Sequence, residues 1–407
     1  MKFFVVDDDP LIVDLVVGLL KGAGHEVESR TVSVGSVEHI LAAKPDCVII
    51  DLMMPGLDGI NLCKTLREDP AFAATGAKIV VVSSKVYEFD RKRALDMGAD
   101  GYIVKPLDAD GFVRQVERII EDRVSVRFWG VRGTLPTPGA KSVRYGGNTS
   151  CVTIEFATGQ FFIFDAGSGI KLLSDHLMAT RRMPMTARIF ISHPHWDHIN
   201  ALPFFAPLYL HGNEFAVCGT RHGDVSMREM ISAQMDGVYF PITIKEFAAR
   251  VYFVDLGEES FNLGNIKIST KLLNHPGNCL GYRIDYNGRS ICYVTDNELY
   301  FPDHPHYNRR YEESLTKFVR GTDMLITDVT YTDKEYARKV NWGHSCISRV
   351  VDLAHAGGVK TLYLFHHDPD QSDAAIDEKL ETARALLAEK GSRTRCVAPA
   401  EGDEVQL

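Results

Sequence analysis

The apolar positions change period along the chain. Lys2 to Val6, Cys47 to Ile50, Lys78 to Val82 and Gly101 to Val104 read as short buried strands. Between the first two, Pro10 to Lys21 is apolar at Leu11, Val13, Leu15, Val16, Leu19 and Leu20, one helix face closed by Gly22 and Gly24. Strands alternating with helices predict an α/β doubly wound parallel sheet, in which functional groups gather at the carboxyl ends of the strands. Those ends carry Asp7, Asp8 and Asp9, then Asp51, Ser83 and Lys105. Asp9 precedes the helix and is its expected cap. Clustered carboxylates repel unless a cation neutralises them, which predicts a magnesium site with oxygen ligands.

Asp108 to Asp122 reads as a further helix, apolar at Phe112, Val113, Val116, Ile119 and Ile120, and by Val124 the pattern is strand-like. This predicts two domains, 1–122 and 124–407. A connection of so few residues, with no Gly/Ser/Pro-rich linker, should keep the two from tumbling independently. Beyond it, apolar runs at Val126 to Trp129, Val152 to Phe156 and Phe161 to Phe164 are punctuated by Gly-rich turns. Four later runs end in candidate metal ligands. Ala187 to Ile191 delivers Ser192-His193-Pro194-His195-Trp196-Asp197-His198, Ile266 to Leu273 precedes His275, Ser290 to Thr295 precedes Asp296, and Lys360 to Phe365 precedes His366.

His193 and His195 lie two apart and would face one way if strand geometry continued, with Asp197 and His198 next, so one turn can serve two adjacent cations. Imidazole with carboxylate suits zinc, and also manganese or iron.

Composition narrows the setting. The 45% hydrophobic and 24% charged fractions are those of an ordinary globular protein. Eight cysteines without a C-x-x-C pair, and no signal peptide, predict a cytoplasmic protein with free thiols. No apolar run approaches the roughly 18 residues of a membrane span. The net charge of −9 is spread over both parts, with 15 basic against 21 acidic residues in 1–123 and 30 against 33 in 124–407. Neither part has the basic excess that favours nucleic-acid binding, so large polyanions are disfavoured as substrates.

Residues 1–122 resemble the receiver domain of two-component response regulators, a flavodoxin-like (CheY-like) fold, including Gly98-Ala99-Asp100-Gly101-Tyr102 before Lys105-Pro106. The resemblance implies that Asp51 accepts a phosphoryl group from a cognate sensor histidine kinase. By the same resemblance Asp7 and Asp8 hold magnesium with Asp51, Lys105 pairs with the phosphate, and Ser83 and Tyr102 form the switch pair.

The H-x-H-x-D-H stretch is the signature of the metallo-β-lactamase fold, and the remainder of the chain resembles that superfamily. The implied architecture is an αββα sandwich with two metals at one edge. Carried over by motif, His193, His195 and His275 would hold one ion, Asp197, His198 and His366 the other, and Asp296 would bridge them. Asp165 matches a family motif that is usually a structural acceptor, not a ligand. His211, His222, His304, His306 and His355 have no motif support.

Asp296 as bridge, followed by Leu325-Ile326-Thr327-Asp328-Val329-Thr330-Tyr331 and Gly343-His344-Ser345, resembles the phosphodiesterase branch that includes endonucleases of the ribonuclease Z type. That likeness implies His344 as proton donor with Asp328 orienting its ring; the bland reading is that His344 opens a helix. Asp197 is a second candidate donor. Tyr145 to Ser150 and Gln234 to Pro241 look like a bacterial group of this branch, and these loops could form a substrate wall.

The leading expectation is a response regulator whose output is a dinuclear-metal phosphodiesterase acting on a small or compact phosphodiester, such as a cyclic nucleotide. Phosphorylation of Asp51 would control it through domain packing or homodimer formation. An ester or lactone hydrolase, a di-iron redox or oxygen-binding protein, and a scaffold with a vestigial metal site are the alternatives. Neither the natural substrate nor the sign of control follows from the sequence.

Overall fold

The computed structural model describes residues 1–407 apart from Asp110, Arg181, Arg182 and Tyr239, together with the side chain of Glu88. Among the described residues the first sheet is built from β1 (Lys2–Val6), β2 (Glu26–Arg30), β3 (Cys47–Asp51), β4 (Lys78–Ser83) and β5 (Gly101–Val104). All its pairings are parallel and its order is β2-β1-β3-β4-β5. Both faces are covered, which is why β3 is buried at every position and reads as a continuous apolar run. The first helix, Pro10–Gly22, is capped as expected, the Asp9 carboxylate accepting from the Leu11 N–H at 2.9 Å. The helix expected over 108–122 is shorter, Phe112–Ile120. Its entry is set by a turn in which Phe112 N–H donates to Asp108 C=O at 2.7 Å. Asp110 itself lies outside the described residues.

The following strands are β6 (Val124–Gly130), β7 (Cys151–Phe156), β8 (Phe161–Phe164), β9 (Thr186–Phe190), β10 (Glu214–Thr220) and β11 (Arg250–Leu256). After them come β12 (Ser260–Leu263), β13 (Ile266–Leu273), β14 (Cys279–Tyr286), β15 (Arg289–Val294), β16 (Met324–Asp328), β17 (Thr361–Phe365), β18 (Arg395–Val397) and β19 (Glu404–Gln406). One sheet runs β11-β10-β9-β8-β7-β6-β19 and the other β12-β13-β14-β15-β16-β17-β18. Each is antiparallel over one half and parallel over the other.

The inner faces of these two sheets share one core, rich in aromatic rings. Phe164 lies 5.3 Å from Phe190 in its own sheet and 5.6 Å from Tyr282 in the other, ring centre to ring centre. Helices such as Gly169–Ala179 and Ile347–Gly357 cover the outer faces through their apolar sides. This is the expected αββα sandwich. Two core tyrosines carry hydroxyls that must be satisfied once buried. Tyr282 donates to Ile191 C=O and Tyr293 to the Asp165 carboxylate, each at 2.7 Å, so the core is tied to the edge where the candidate ligands lie.

The receiver-like part docks on the sandwich. The Thr186 hydroxyl donates to Val86 C=O, the Arg250 guanidinium lies 4.5 Å from the Tyr87 ring centre, and Arg118 pairs with Glu155. At the junction the Asp122 carboxylate accepts from Tyr286 Oη at 2.7 Å and from Arg289 at 3.0 Å. A Cβ on Gly159 would sit 2.6 Å from Tyr102 C=O, so the β7–β8 turn and the β5 edge approach as closely as backbone allows.

Candidate metal centre

Strand direction explains how residues far apart in sequence meet. β9, β13, β15 and β17 all end at the same edge, and the segments after them supply His193 to His198, His275, Asp296 and His366. The structure places His193, His195, His275 and Asp296 in one group whose donor atoms lie within 4.8 Å of one another. Asp197, His198, Asp296 and His366 form a second such group. All seven residues of the sequence-expected set are therefore brought together, and Asp296 belongs to both groups.

In the first group His193 Nε2 and His275 Nε2 lie 2.9 and 3.1 Å from His195 Nδ1. Ligand nitrogens around a tetrahedral zinc at about 2.0–2.1 Å sit roughly 3.3 Å apart, close to these spacings. Asp296 Oδ2 is 3.5 Å from His193 Nε2. Its other oxygen, Oδ1, faces the second group, 3.3 Å from His198 Nε2 and 3.1 Å from His366 Nε2. Asp197 Oδ2 lies 3.2 and 3.1 Å from the same two nitrogens.

The rings are oriented from behind. His198 Nδ1 donates to Asp165 Oδ2 at 2.7 Å, and His275 Nδ1 donates to Gly343 C=O at 2.9 Å, which leaves each Nε2 with its lone pair toward the centre. His366 Nδ1 lies 3.1 Å from the Thr330 hydroxyl. Asp165 is held by Ser192 N–H, Ser192 Oγ and Tyr293 Oη, and it enters neither ligand group. The sharpest sign that the cluster fits cations is His198 Nε2, which is buried and has no hydrogen-bond partner although two carboxylates are near. An orphaned ring nitrogen in a buried site needs something to bind.

Burial disfavours a charged His198, but Asp197, Asp296 and Asp165 outweigh it and hold its pKa well above the ordinary imidazole value, so a cation there would displace a proton. His193, His195, His275, Asp197 and Asp296 already take metal-binding forms. Burial pushes the His193 ring well below the ordinary imidazole value, and lowers His195 and His275 too, so all three present neutral rings. Burial opposes ionisation of Asp197 and Asp296, but the surrounding histidines outweigh it and hold both carboxyls well below the usual range. Neutral imidazoles and ionised carboxylates are the forms that bind divalent ions.

A third group, Asp328, His344 and His366, adjoins the second. His344 Nδ1 donates to Asp328 Oδ2 at 2.9 Å, and its ring stacks 5.0 Å from that of His366. The next helix begins only at Ile347, so His344 is not a mere helix opener. Burial disfavours its charged form, yet Asp328 and then Asp296 outweigh this and raise its pKa to about 9.

Between the neighbours His366 and His367 the structure selects the first. His366 takes a left-handed backbone conformation (φ 57°) that turns its ring into the cluster, while His367 is buried elsewhere with neither ring nitrogen hydrogen-bonded. His211, His222, His306 and His355 are exposed and His304 is half-buried. Tyr145 to Ser150, one of the two stretches expected to form a wall, is braced from behind. Tyr145 Oη donates to Asp377 at 2.8 Å, and Asn148 donates through its backbone and side chain to Glu401, so the segment is engaged internally. In the other stretch Asp236, Gly237 and Val238 are exposed, and Tyr239 is outside the described residues.

Three supporting groups were not expected from sequence. Thr134 N–H donates to Asp197 Oδ2 at 2.7 Å. Glu298, buried, accepts from Gly343 N–H at 2.8 Å, from Asn341 N–H at 2.7 Å and from Tyr336 Oη at 2.8 Å, pinning the loop that carries His344. Thr330 links Asp328 to His366. Only Thr330 had a signal, its position two residues after Asp328.

In the receiver-like part Lys105 Nζ bridges Asp7 Oδ2 at 2.8 Å and Asp51 Oδ1 at 2.6 Å, while Asp8 is exposed at the same edge. Burial raises the Asp7 pKa despite Lys105. The Ser83 hydroxyl accepts from Lys85 N–H at 3.1 Å and Tyr102 Oη donates to Lys85 C=O at 2.9 Å.

Residues 3–117 match the response regulator receiver domain, and residues 161–367, half of the chain, match the beta-lactamase superfamily domain. The DNA-binding response regulator MtrA of Mycolicibacterium smegmatis is 32% identical over 162 residues, which span 38% of this chain and 67% of that protein. The transcriptional regulatory protein CseB of Streptomyces coelicolor is 27% identical, over 41% of this chain and 67% of its own. Among solved structures, the metallo-beta-lactamase fold protein YhfI from Bacillus subtilis aligns with 70% of this chain and all of its own, at a TM-score of 0.51 and 13% identity, a likeness of fold. Among the described residues no helix is long and apolar enough to cross a membrane.

Proposed function

We propose, from the premise that the chain belongs to the beta-lactamase superfamily and carries a response regulator receiver domain, that it is a phosphorylation-controlled phosphodiesterase acting on a small or compact phosphodiester such as a cyclic nucleotide. The observation that supports this reading is the His344–Asp328 pair beside the cluster, a cationic donor that would serve an anionic leaving group. An ester or lactone hydrolase has less use for a second positive donor.

In this reading His193, His195 and His275 would hold one divalent ion and Asp197, His198 and His366 the other, with Asp296, which belongs to both groups, serving both. Zinc suits the donor set best, with manganese or iron as alternatives. Two such ions would supply an activated water and neutralise charge at phosphorus. The chain does the rest. The Nε2–H of His344 donates to the departing oxygen, and Asp328 keeps that ring charged and aimed. Asp197, fixed by Thr134 N–H, is a second group able to pass a proton. Asp165, Gly343 and Glu298 keep the rings and the His344 loop from reorienting.

In the same reading control runs through Asp51: Asp7, Asp8 and Asp51 would hold magnesium, Lys105 would pair with the phosphate, and a sensor histidine kinase would be the phosphoryl donor. Ser83 and Tyr102 both hold Lys85, and the adjoining Val86 and Tyr87 contact Thr186 and Arg250. Thr186 opens β9, the strand that ends at Phe190, three residues before His193. A cleft of about 620 Å³, lined by Tyr102, Arg114, Trp129 and Leu177 among others, leaves the docked receiver room to shift. Hydrolysis of phosphodiesters with and without beryllofluoride tests both halves of the proposal. Control could also pass through homodimer formation, which sedimentation with the same mimic reports.

A further inference from the structure

Tryptophan is large and apolar and seldom left in water, yet two of the three tryptophans in this chain are mostly exposed, and both adjoin the candidate metal centre. Trp196 stands between His195 and Asp197 with 80% of its surface exposed. Trp342 is 61% exposed. It precedes Gly343, whose carbonyl accepts from His275 and whose N–H donates to Glu298. Leu135 is 58% exposed and follows Thr134, whose N–H holds Asp197. Three separate segments, the first turn of the helix Trp196–Ile199 and two loops, thus each carry an exposed apolar side chain one residue from a contact of the cluster. The remaining tryptophan, Trp129, is buried and donates to Thr153 Oγ1 at 2.9 Å.

We infer that Trp196 and Trp342 form the walls of a subsite that stacks a planar nitrogenous ring, so that the substrate is a nucleoside phosphodiester. This rests on the phosphodiesterase reading, which places the phosphate at the cations and hence its substituent against these loops. The surroundings of Trp342 favour a flat polar ring over an acyl chain. Exposed Asn341 beside it has Oδ1 occupied by Tyr300 Oη at 2.9 Å, which leaves the amide N–H groups to donate to a ring nitrogen or oxygen. Tyr300 itself stacks on His304, their ring centres 4.5 Å apart. Indole faces take any base, so this subsite selects a base-bearing ester rather than one sequence.

Tryptophan emission tests the inference directly, because Trp129 gives a constant background. The metal-loaded full chain is titrated with adenosine 5′-monophosphate, ribose 5-phosphate and octyl phosphate. Saturable quenching by the nucleotide is expected, with affinity at least about tenfold above ribose 5-phosphate, the scale of one base stack. Trp196→Ala and Trp342→Ala should each remove most of that preference, and the phenylalanine variants should restore it. Equal affinity for nucleotide and sugar phosphate, tighter binding of octyl phosphate, equal loss of all probes in the alanine variants, or a dimer broken by those variants would overturn it. Turnover of bis(p-nitrophenyl) phosphate without nucleotide preference overturns this inference alone. Absence of that turnover overturns the reading beneath it.

Discussion

His344 and Asp328 are joined by a 2.9 Å hydrogen bond at a site where burial alone would have kept the imidazole neutral. The carboxylate wins, and the ring stays charged through neutral pH.

His344→Ala should therefore lower kcat on alkyl phosphodiesters by about 10²–10⁴-fold with little change in KM. The loss should be smaller on bis(p-nitrophenyl) phosphate, whose leaving group needs no proton. The proton is held by Asp328, so activity should fall as pH rises through about 9, and Asp328→Asn should move that limb downward. Steady-state rates across pH 6–10 for the two ester classes check both.

Stripping the cations should destabilise the sandwich as well as stop turnover. Without cations the neutral rings of His193, His195 and His275 crowd together with nitrogens about 3 Å apart, and buried His198 Nε2 has no hydrogen-bond partner. Chelation is expected to lower Tm and readdition of zinc or manganese to restore it, with two ions per chain by elemental analysis. Asp197→Ala and Asp296→Ala should each bind fewer ions.

Lys379 supplies a stability handle outside the site. It is fully buried, donates to Val329 C=O at 2.6 Å, and burial pulls its pKa down to about 7. An unfolded lysine titrates near ~10.4, so between these values the unfolded chain binds the extra proton. Its contribution is complete above the unfolded value and is lost as pH falls toward 7. Stability measured by urea should carry this upward slope from pH 7 to 10, and Lys379→Met should flatten it.

The contact between Thr186 and Val86 makes a separate prediction about control. Thr186→Val and Arg250→Ala should loosen the receiver's hold without touching the metal cluster. Beryllofluoride should then change activity or oligomeric state in the parent chain and not in these variants. Equal responses would place the coupling elsewhere.

The cluster was legible because its ligands end apolar runs whose lengths fix where the strand stops. His193, His275, Asp296 and His366 are each the first or second polar group past such a run. What held them was not legible. Thr134, Glu298 and Gly343 act through backbone groups or from loops, and a hydrogen bond from a peptide N–H leaves no mark on sequence. β19, three residues long, is too short to show a period, yet it returns to pair with β6. The bracing of Tyr145 to Ser150 was hidden for a related reason, since a Gly-rich loop carries no mark of the distant Glu401 that ties it.

Phosphorus chemistry controlled by the receiver is what the metal cluster and the docked receiver are proposed to deliver. Its most direct measurement is turnover of a cyclic and linear phosphodiester panel beside lactone and carboxylic ester controls, by the zinc-, manganese- and iron-loaded chain, with and without beryllofluoride. The account predicts phosphodiester hydrolysis that is abolished in Asp197→Ala and altered by the phosphoryl mimic. Turnover of lactones or esters with every phosphodiester left intact would contradict it.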